Sequence, residues 1–255
     1  MTDIQAFDWV KYRRWHSELL DTGIYSDLQL FSNGKAYNAH RSVVCFHSPV
    51  IKDKIVPIPI PTANGYHHQQ SFAFVYKYTF EDGEDTQCVD CIIQYFYRWD
   101  YKILGSDHGE RPGQGLMYKE DADSSPENID IDLGSDLIIH VKVFALACKY
   151  EIDLLKSLSV AKFESAAQHY GKTHYFTDAA REAYNSDTLD CAREMRDSVV
   201  EFLHKRRHLL HEEHVKKLML DKPQLSLDLH LRSPVGPANP SSYAGFGRGF
   251  HQTKK

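Results

Sequence analysis

"YSDLQLFSNGKAYNAHRSVVCFHSPV" occupies residues 25–50, and the fold turns on how it is read. Residues 25–31 alternate loosely between apolar and polar, as a strand does. Ser32-Asn33-Gly34-Lys35 follows, and Asn-Gly tolerates positive φ at both centres of a tight hairpin turn. Residues 36–40 then read as the return strand. Ser42 is placed to cap a helix whose apolar positions are Val43, Val44, Phe46 and Val50/Ile51. The segment therefore predicts a hairpin that feeds directly into a helix, with Asp27, His40 and Arg41 along the seam.

Upstream, residues 8–20 carry Trp9, Tyr12, His16 and Leu19/Leu20 at helical spacing and stop before Gly23. Downstream, PIPIP at 57–61 cannot donate regular ladder bonds, so it reads as an edge or an extended connection. Residues 71–80 (SFAFVYKYTF) are strand-like by their aromatic and β-branched content. A helix begins at Thr86, with Cys88, Cys91/Ile92, Tyr95/Phe96 and Trp99 recurring along it. Residues 105–130 are rich in Gly, Pro, Asp and Ser and too long for an ordinary connection, so they read as a disordered insertion. Asp136 opens a helix that is apolar on most sides, which marks it as central. An amphipathic helix follows over 153–168, then a short one over 177–184 and a long one over 189–214. Beyond Asp221 the composition shifts to Pro, Gly and Ser, the signature of a flexible tail.

The chain has 255 residues, 42% of them hydrophobic and 12% aromatic, enough for a real core and against global disorder. Its formal net charge of −5 argues against bulk nucleic-acid binding. Five cysteines (45, 88, 91, 148 and 191), mostly among apolar neighbours, suggest buried thiols in a reducing, intracellular setting, nuclear or cytoplasmic. The N-terminus lacks the apolar core of a secretion signal, and the longest apolar run, near residues 137–148, is too short to span a bilayer. The expectation is a chain with no membrane segment.

Metal and catalytic motifs do not assemble in the sequence. Cys88-x-x-Cys91 has no second pair, and both thiols share an apolar helix face with Ile92 and Tyr95. His204, His208 and His211 lie on one helical face, but Lys205, Arg206 and Arg207 crowd it with positive charge. HEEH at 211–214 lacks the spacing of a zinc-protease helix, and no strained G-x-S-x-G elbow occurs. The single GFGRGF phrase in the tail is too little for multivalent nucleic-acid contact. The expectation is a non-enzyme with no cofactor and no metal.

The residues themselves suggest a family. "YSDLQLFSNGKAYNAHRSVVCFHSPVIKDKI" (25–55) resembles the opening of BTB/POZ domains, with an S-D-L strand, a polar turn, A-H-R and a helix containing C-x-x-S-P. "CVDCIIQYFYRWDY" (88–101) and "IIHVKVFALACKYEIDLLKSLSVAKFESA" (138–166) are similar to that family's later helices, in the same order. "FTDAAREAYNSDTLDCAREMRDSVVEF" (176–202) is similar to a helical extension common in filamentous-fungal members.

The resemblance implies an α+β fold: a small, mostly antiparallel sheet flanked by helical hairpins, with an α-helical C-terminal extension. It divides the chain into an N-terminal helix (1–22) that swaps across a dimer, the domain (23–168), the extension (172–218) and the tail (221–255). It implies a non-catalytic protein–protein interaction module that homodimerises and holds a partner, a cullin or a transcriptional cofactor. The interface it implies comprises Trp9, Tyr12, Trp15, Leu19, Asp27, His40 and Arg41, with Asp27 and His40 paired near the dimer groove. The alternative is a substrate adaptor of a cullin-type ubiquitin ligase. Such adaptors often carry a hydrophobic-x-Glu motif between residues 55 and 84. Here the candidate glutamates Glu81 and Glu84 follow Thr79 and Asp82 at that spacing, and neither fits the motif.

Overall fold

The computed structural model describes residues 8–61, 72–103, 134–185 and 193–232; the insertion expected at 105–130 lies outside them. The elements run α1 (Trp9–Thr22), β1 (Leu28–Ser32), β2 (Lys35–Ala39), α2 (Arg41–His47), α3 (Pro49–Lys54), β3 (Val56–Pro61) and β4 (Phe72–Thr79). Helices then take over: α4 (Thr86–Arg98), α5 (Asp136–Lys149), α6 (Asp153–Tyr170), α7 (His174–Ala183) and α8 (Arg193–Lys205). A short 3-10 helix (Arg207–His211), α9 (Glu213–Asp221) and α10 (Pro223–Arg232) complete them.

The Asn-Gly turn forms as its chemistry dictates, with φ of 46° at Asn33 and 80° at Gly34. It sets the β1–β2 register, pairing Leu28 with Ala39 and Leu30 with Tyr37. The four strands order as β2-β1-β4-β3. β1–β2 and β3–β4 are antiparallel, whereas β1–β4 is parallel, so the sheet is mixed. The α+β class therefore holds for the described residues. The parallel pair needs a long crossover, which β2, α2, α3 and β3 supply.

Two apolar clusters fill the protein. Leu28, Leu30 and Tyr78 of the sheet meet Cys88, Ile92 and Phe96 of α4 and Val143 and Ala147 of α5. On the opposite side of α5, Leu137, Val141 and Phe144 meet Phe163, Phe176, Val199, Leu203, Val215 and Leu225. An α5 that is apolar all round thus serves both cores, as a central helix must. A Cβ on Gly171, at the end of α6, would lie 1.9 Å from the Phe202 ring, so its absence lets α8 pack there.

The structure departs from the expectations in several places, one of them the break at Ser48 that divides the expected single helix into α2 and α3. α2 starts at Arg41 with His40 in the cap position, so Ser42 is not its cap. The single long helix over 189–214 is broken. The chain turns at Arg206 (φ −119°, ψ 54°), and this buries Leu209 and returns Val215 and Leu218 to the same core. Residues 223–232, read as the start of a flexible tail, form α10 because Leu225 and Leu229 close the second core. Cys45, Cys88 and Cys91 are free thiols, but Cys148 is disulfide-bonded rather than a thiol. Cysteine pairing follows tertiary proximity, which spacing alone does not show.

Candidate functional site: an aromatic groove beside the hairpin seam

The seam is organised differently from the Asp27–His40 pair expected of it. Asp27 Oδ1 accepts the Arg41 backbone N–H at 2.8 Å, and Oδ2 accepts Arg41 Nε–H at 3.0 Å. A carboxylate from the strand thereby caps α2, whose own cap residue supplies no side-chain bond. The Arg41 guanidinium also lies 3.9 Å from the centre of the Tyr76 ring.

His40 turns the other way. Its Nε2 is 2.7 Å from the Ile24 carbonyl, which can only accept, so Nε2 carries a proton. In the neutral ring, Nδ1 then accepts the Tyr97 O–H at 2.9 Å, while Tyr97 Oη accepts the His40 backbone N–H at 2.9 Å. The Tyr97 phenol is thus fixed from both sides, and burial raises its pKa. His40 is 6% exposed and joins the hairpin to α4 internally.

α1 begins with Asp8, whose carboxylate accepts from the N–H groups of Val10 and Lys11, and ends on Gly23 in the left-handed conformation. Trp9, Tyr12, His16 and Leu19 fall on one stripe of it. The lower half of the stripe is anchored on α4: Leu19 enters the core, and Arg98 donates to Ser17 Oγ and Asp21. Leu19, expected at an interface, is therefore spent inside the chain. The upper half overhangs the body. There the stripe faces a groove of about 810 Å³ bordered by Trp9, Tyr12, His16, Phe46, His47 and Trp99, with Arg13 beside it. Trp9 is 66% exposed and Phe46 is 75% exposed, unlike any residue that packs a core.

Rings touch along the groove. Tyr12 lies 4.5 Å from His16 between centroids, and His47 lies 4.7 Å from Trp99. Trp99 caps α4 with φ of 57°, a conformation rarely taken by a residue with a large side chain. Burial drives the His47 pKa down to about 4, and burial followed by the neighbouring His40 lowers that of His16. Both shifts favour the neutral form of the two rings. His16 Nδ1 is buried there with no hydrogen-bond partner. Trp15, expected beside Trp9, lies on another side of α1 at 52% exposure, bordering a smaller hollow with Asp8, Lys11 and Tyr12.

His16, Phe46, His47 and Trp99 border the groove, and the sequence assigned none of them to an interface. The apolar character of Phe46 and Trp99 at helical spacing read as ordinary helix packing, and nothing in a helical period says that one side lacks a cover. Glu84 is also settled by the structure. It is 8% exposed, its carboxylate accepts the Tyr150 O–H at 2.7 Å, and it bonds Lys149 Nζ at 2.6 Å. Among the described residues, no group of three or more His, Cys, Asp or Glu side chains is arranged to hold a metal ion. No described helix is long and apolar enough to cross a membrane. No family model matches the chain, and no curated protein matches it.

Proposed function

We propose that this chain is a BTB-type interaction module, non-enzymatic, which pairs with a second copy through α1 and the groove between α1 and α2. The observation that carries the reading is the overhanging half of α1, where Trp9, Tyr12 and exposed Phe46 line an apolar groove that the described chain leaves open. Aromatic anchors of this kind dominate the energetics of protein interfaces.

Charge supports a second copy as the occupant. The first half of α1 carries Lys11, Arg13 and Arg14, and the second half carries Glu18 and Asp21. Two such helices crossing antiparallel about a twofold axis set the basic half of each against the acidic half of the other. The element order also supports the BTB reading, with a hairpin, a helix, a strand and the later helices succeeding one another around a small sheet, as the resemblance implies. A transcriptional cofactor or a cullin would then engage the paired module. With Glu84 engaged internally, no observation favours the ligase-adaptor alternative over simple scaffolding.

The test is mass in solution by light scattering, for the wild type and for Phe46→Asp and Trp9→Ala. Both side chains are largely exposed, so their replacement leaves the fold intact. The reading expects a dimer that becomes a monomer in Phe46→Asp, because a buried unpaired carboxylate is costly at an apolar interface. A wild type that is monomeric at every concentration would overturn it.

A further inference from the structure

Among the described residues β3 is an edge strand, and its sequence is Val56-Pro57-Ile58-Pro59-Ile60-Pro61. Which side of this strand faces solvent follows from its neighbour. Tyr76 N–H donates to the Asp27 carbonyl at 2.9 Å, and Phe80 N–H donates to the Phe31 carbonyl at 2.8 Å. Even-numbered residues of β4 therefore direct their backbone groups at β1, and odd-numbered residues direct theirs at β3. The odd residues Lys77, Val75 and Ala73 pair with Val56, Ile58 and Ile60. All the N–H groups that β3 possesses are thus turned inward, and Pro57, Pro59 and Pro61 occupy every outward position. The outer edge offers carbonyl acceptors and no donor.

The side chains make the arrangement consequential. Val56, Ile58 and Ile60 are exposed at 60%, 38% and 41%. Exposed β-branched residues on an open edge are a template for adding another strand. Each incoming strand needs donors and acceptors alternately from the edge that it joins. This edge supplies only acceptors, and the rings of Pro57 and Pro59 occupy the approach.

We infer that the three prolines bar strand addition at β3, by another chain or by a second copy. The β3 edge of the sheet is thereby closed to strand pairing. The inference stands independently of the groove reading, because it concerns what the sheet refuses rather than what α1 accepts.

The test is the variant Pro57→Thr/Pro59→Thr/Pro61→Thr, which restores three outward donors at positions whose extended backbone Thr readily adopts. Light scattering across a concentration series is expected to show a weight-average mass rising to about twice the wild-type value or more. Adding Ile58→Lys in the same background is expected to reverse the rise, because an edge charge blocks strand pairing. A wild-type mass at every concentration, in a triple variant with native circular dichroism, would overturn the inference. Should the triple variant not fold, Pro59→Thr alone restores one central donor. An unchanged mass in that single variant would overturn the inference in the same way. The comparison is with the wild-type mass, whether monomer or dimer, so its outcome is separate from that of Phe46→Asp.

Discussion

Single residues in this protein carry structural weight where a polar group is buried or a helix end needs a partner. Asp27→Ala removes the strand-borne cap of α2 together with the Arg41 contact. The ion pair is half exposed and contributes little of its own after screening. The capping bond contributes about 1 kcal/mol, so urea unfolding should show a loss of that order. Asp27→Asn keeps an acceptor oxygen and is expected to lose less. His140 offers a second case. It is 8% exposed, and its Nδ1 shares a 2.8 Å hydrogen bond with the Tyr101 phenol. Tyr101→Phe strands the ring nitrogen and is expected to cost about 1–3 kcal/mol. Burial, with nearby Lys162 adding to it, drives the His140 pKa down to about 3. The unfolded chain therefore binds this proton more readily, and so it does at His47, where burial brings the value to about 4. Stability from both groups is full above the ordinary histidine value near 6.5 and falls as pH drops from there towards 4. Unfolding free energies measured between neutral and mildly acid pH should show that decline, and the decline should be shallower in His140→Gln. The residue types at the seam were legible in the sequence, but their pairing was not. Asp27 meets Arg41 rather than His40 because the residue just before β1 pairs with the end of β2 and so sits beside the first turn of α2.

Among the elements, local chemistry was decisive where it was unambiguous. Asn33-Gly34 forced the hairpin, the Pro-x-Pro-x-Pro alternation pointed to an edge or an extended connection, and the helical period placed the start of α4 at Thr86. α10 is the opposite case. Leu225-Ser-Leu-Asp-Leu-His-Leu231 alternates with the period of a strand, within a region whose composition reads as a tail. It folds as a helix because Leu225 and Leu229 share a face that closes the second core, while Leu227 and Leu231 remain 49% and 71% exposed. Leu225→Ala and Leu229→Ala should therefore each destabilise by about 2–4 kcal/mol. Leu227→Ala should fall within about 0.5 kcal/mol of wild type. Equal losses at all of these positions in chemical denaturation would contradict the helical assignment. The break at Arg206 has the same origin, since one uninterrupted helix cannot bring both Leu209 and Val215 onto a core that curves back towards α7.

For the molecule as a whole, the arrangement turns on α5, which lends Val143 and Ala147 to one core and Leu137, Val141 and Phe144 to the other. Neither cluster can lose its partners without disturbing the helix that lines both, so the described fold should unfold as one unit. The three tryptophans, Trp9, Trp15 and Trp99, all lie in the first half of the sequence. They offer a direct readout. Leu203→Ala, made in the second core, should lower the midpoint seen by tryptophan fluorescence as much as that seen by far-UV circular dichroism. A fluorescence midpoint left at the wild-type value would mean that the halves melt separately. Unlike the break between α2 and α3, the hairpin, the start of α4, the central role of α5 and the apolar stripe of α1 were legible in the chain before folding. They follow from φ preferences, missing donors and hydrophobic periods, which act between near neighbours in the chain. Three-dimensional packing alone determines that the stripe of α1 is core at Leu19 and open groove at Trp9, that Phe46 and Trp99 face that groove, and that α10 is a helix. Burial belongs to the assembled protein, and no period along one segment can say whether another segment arrives to cover it.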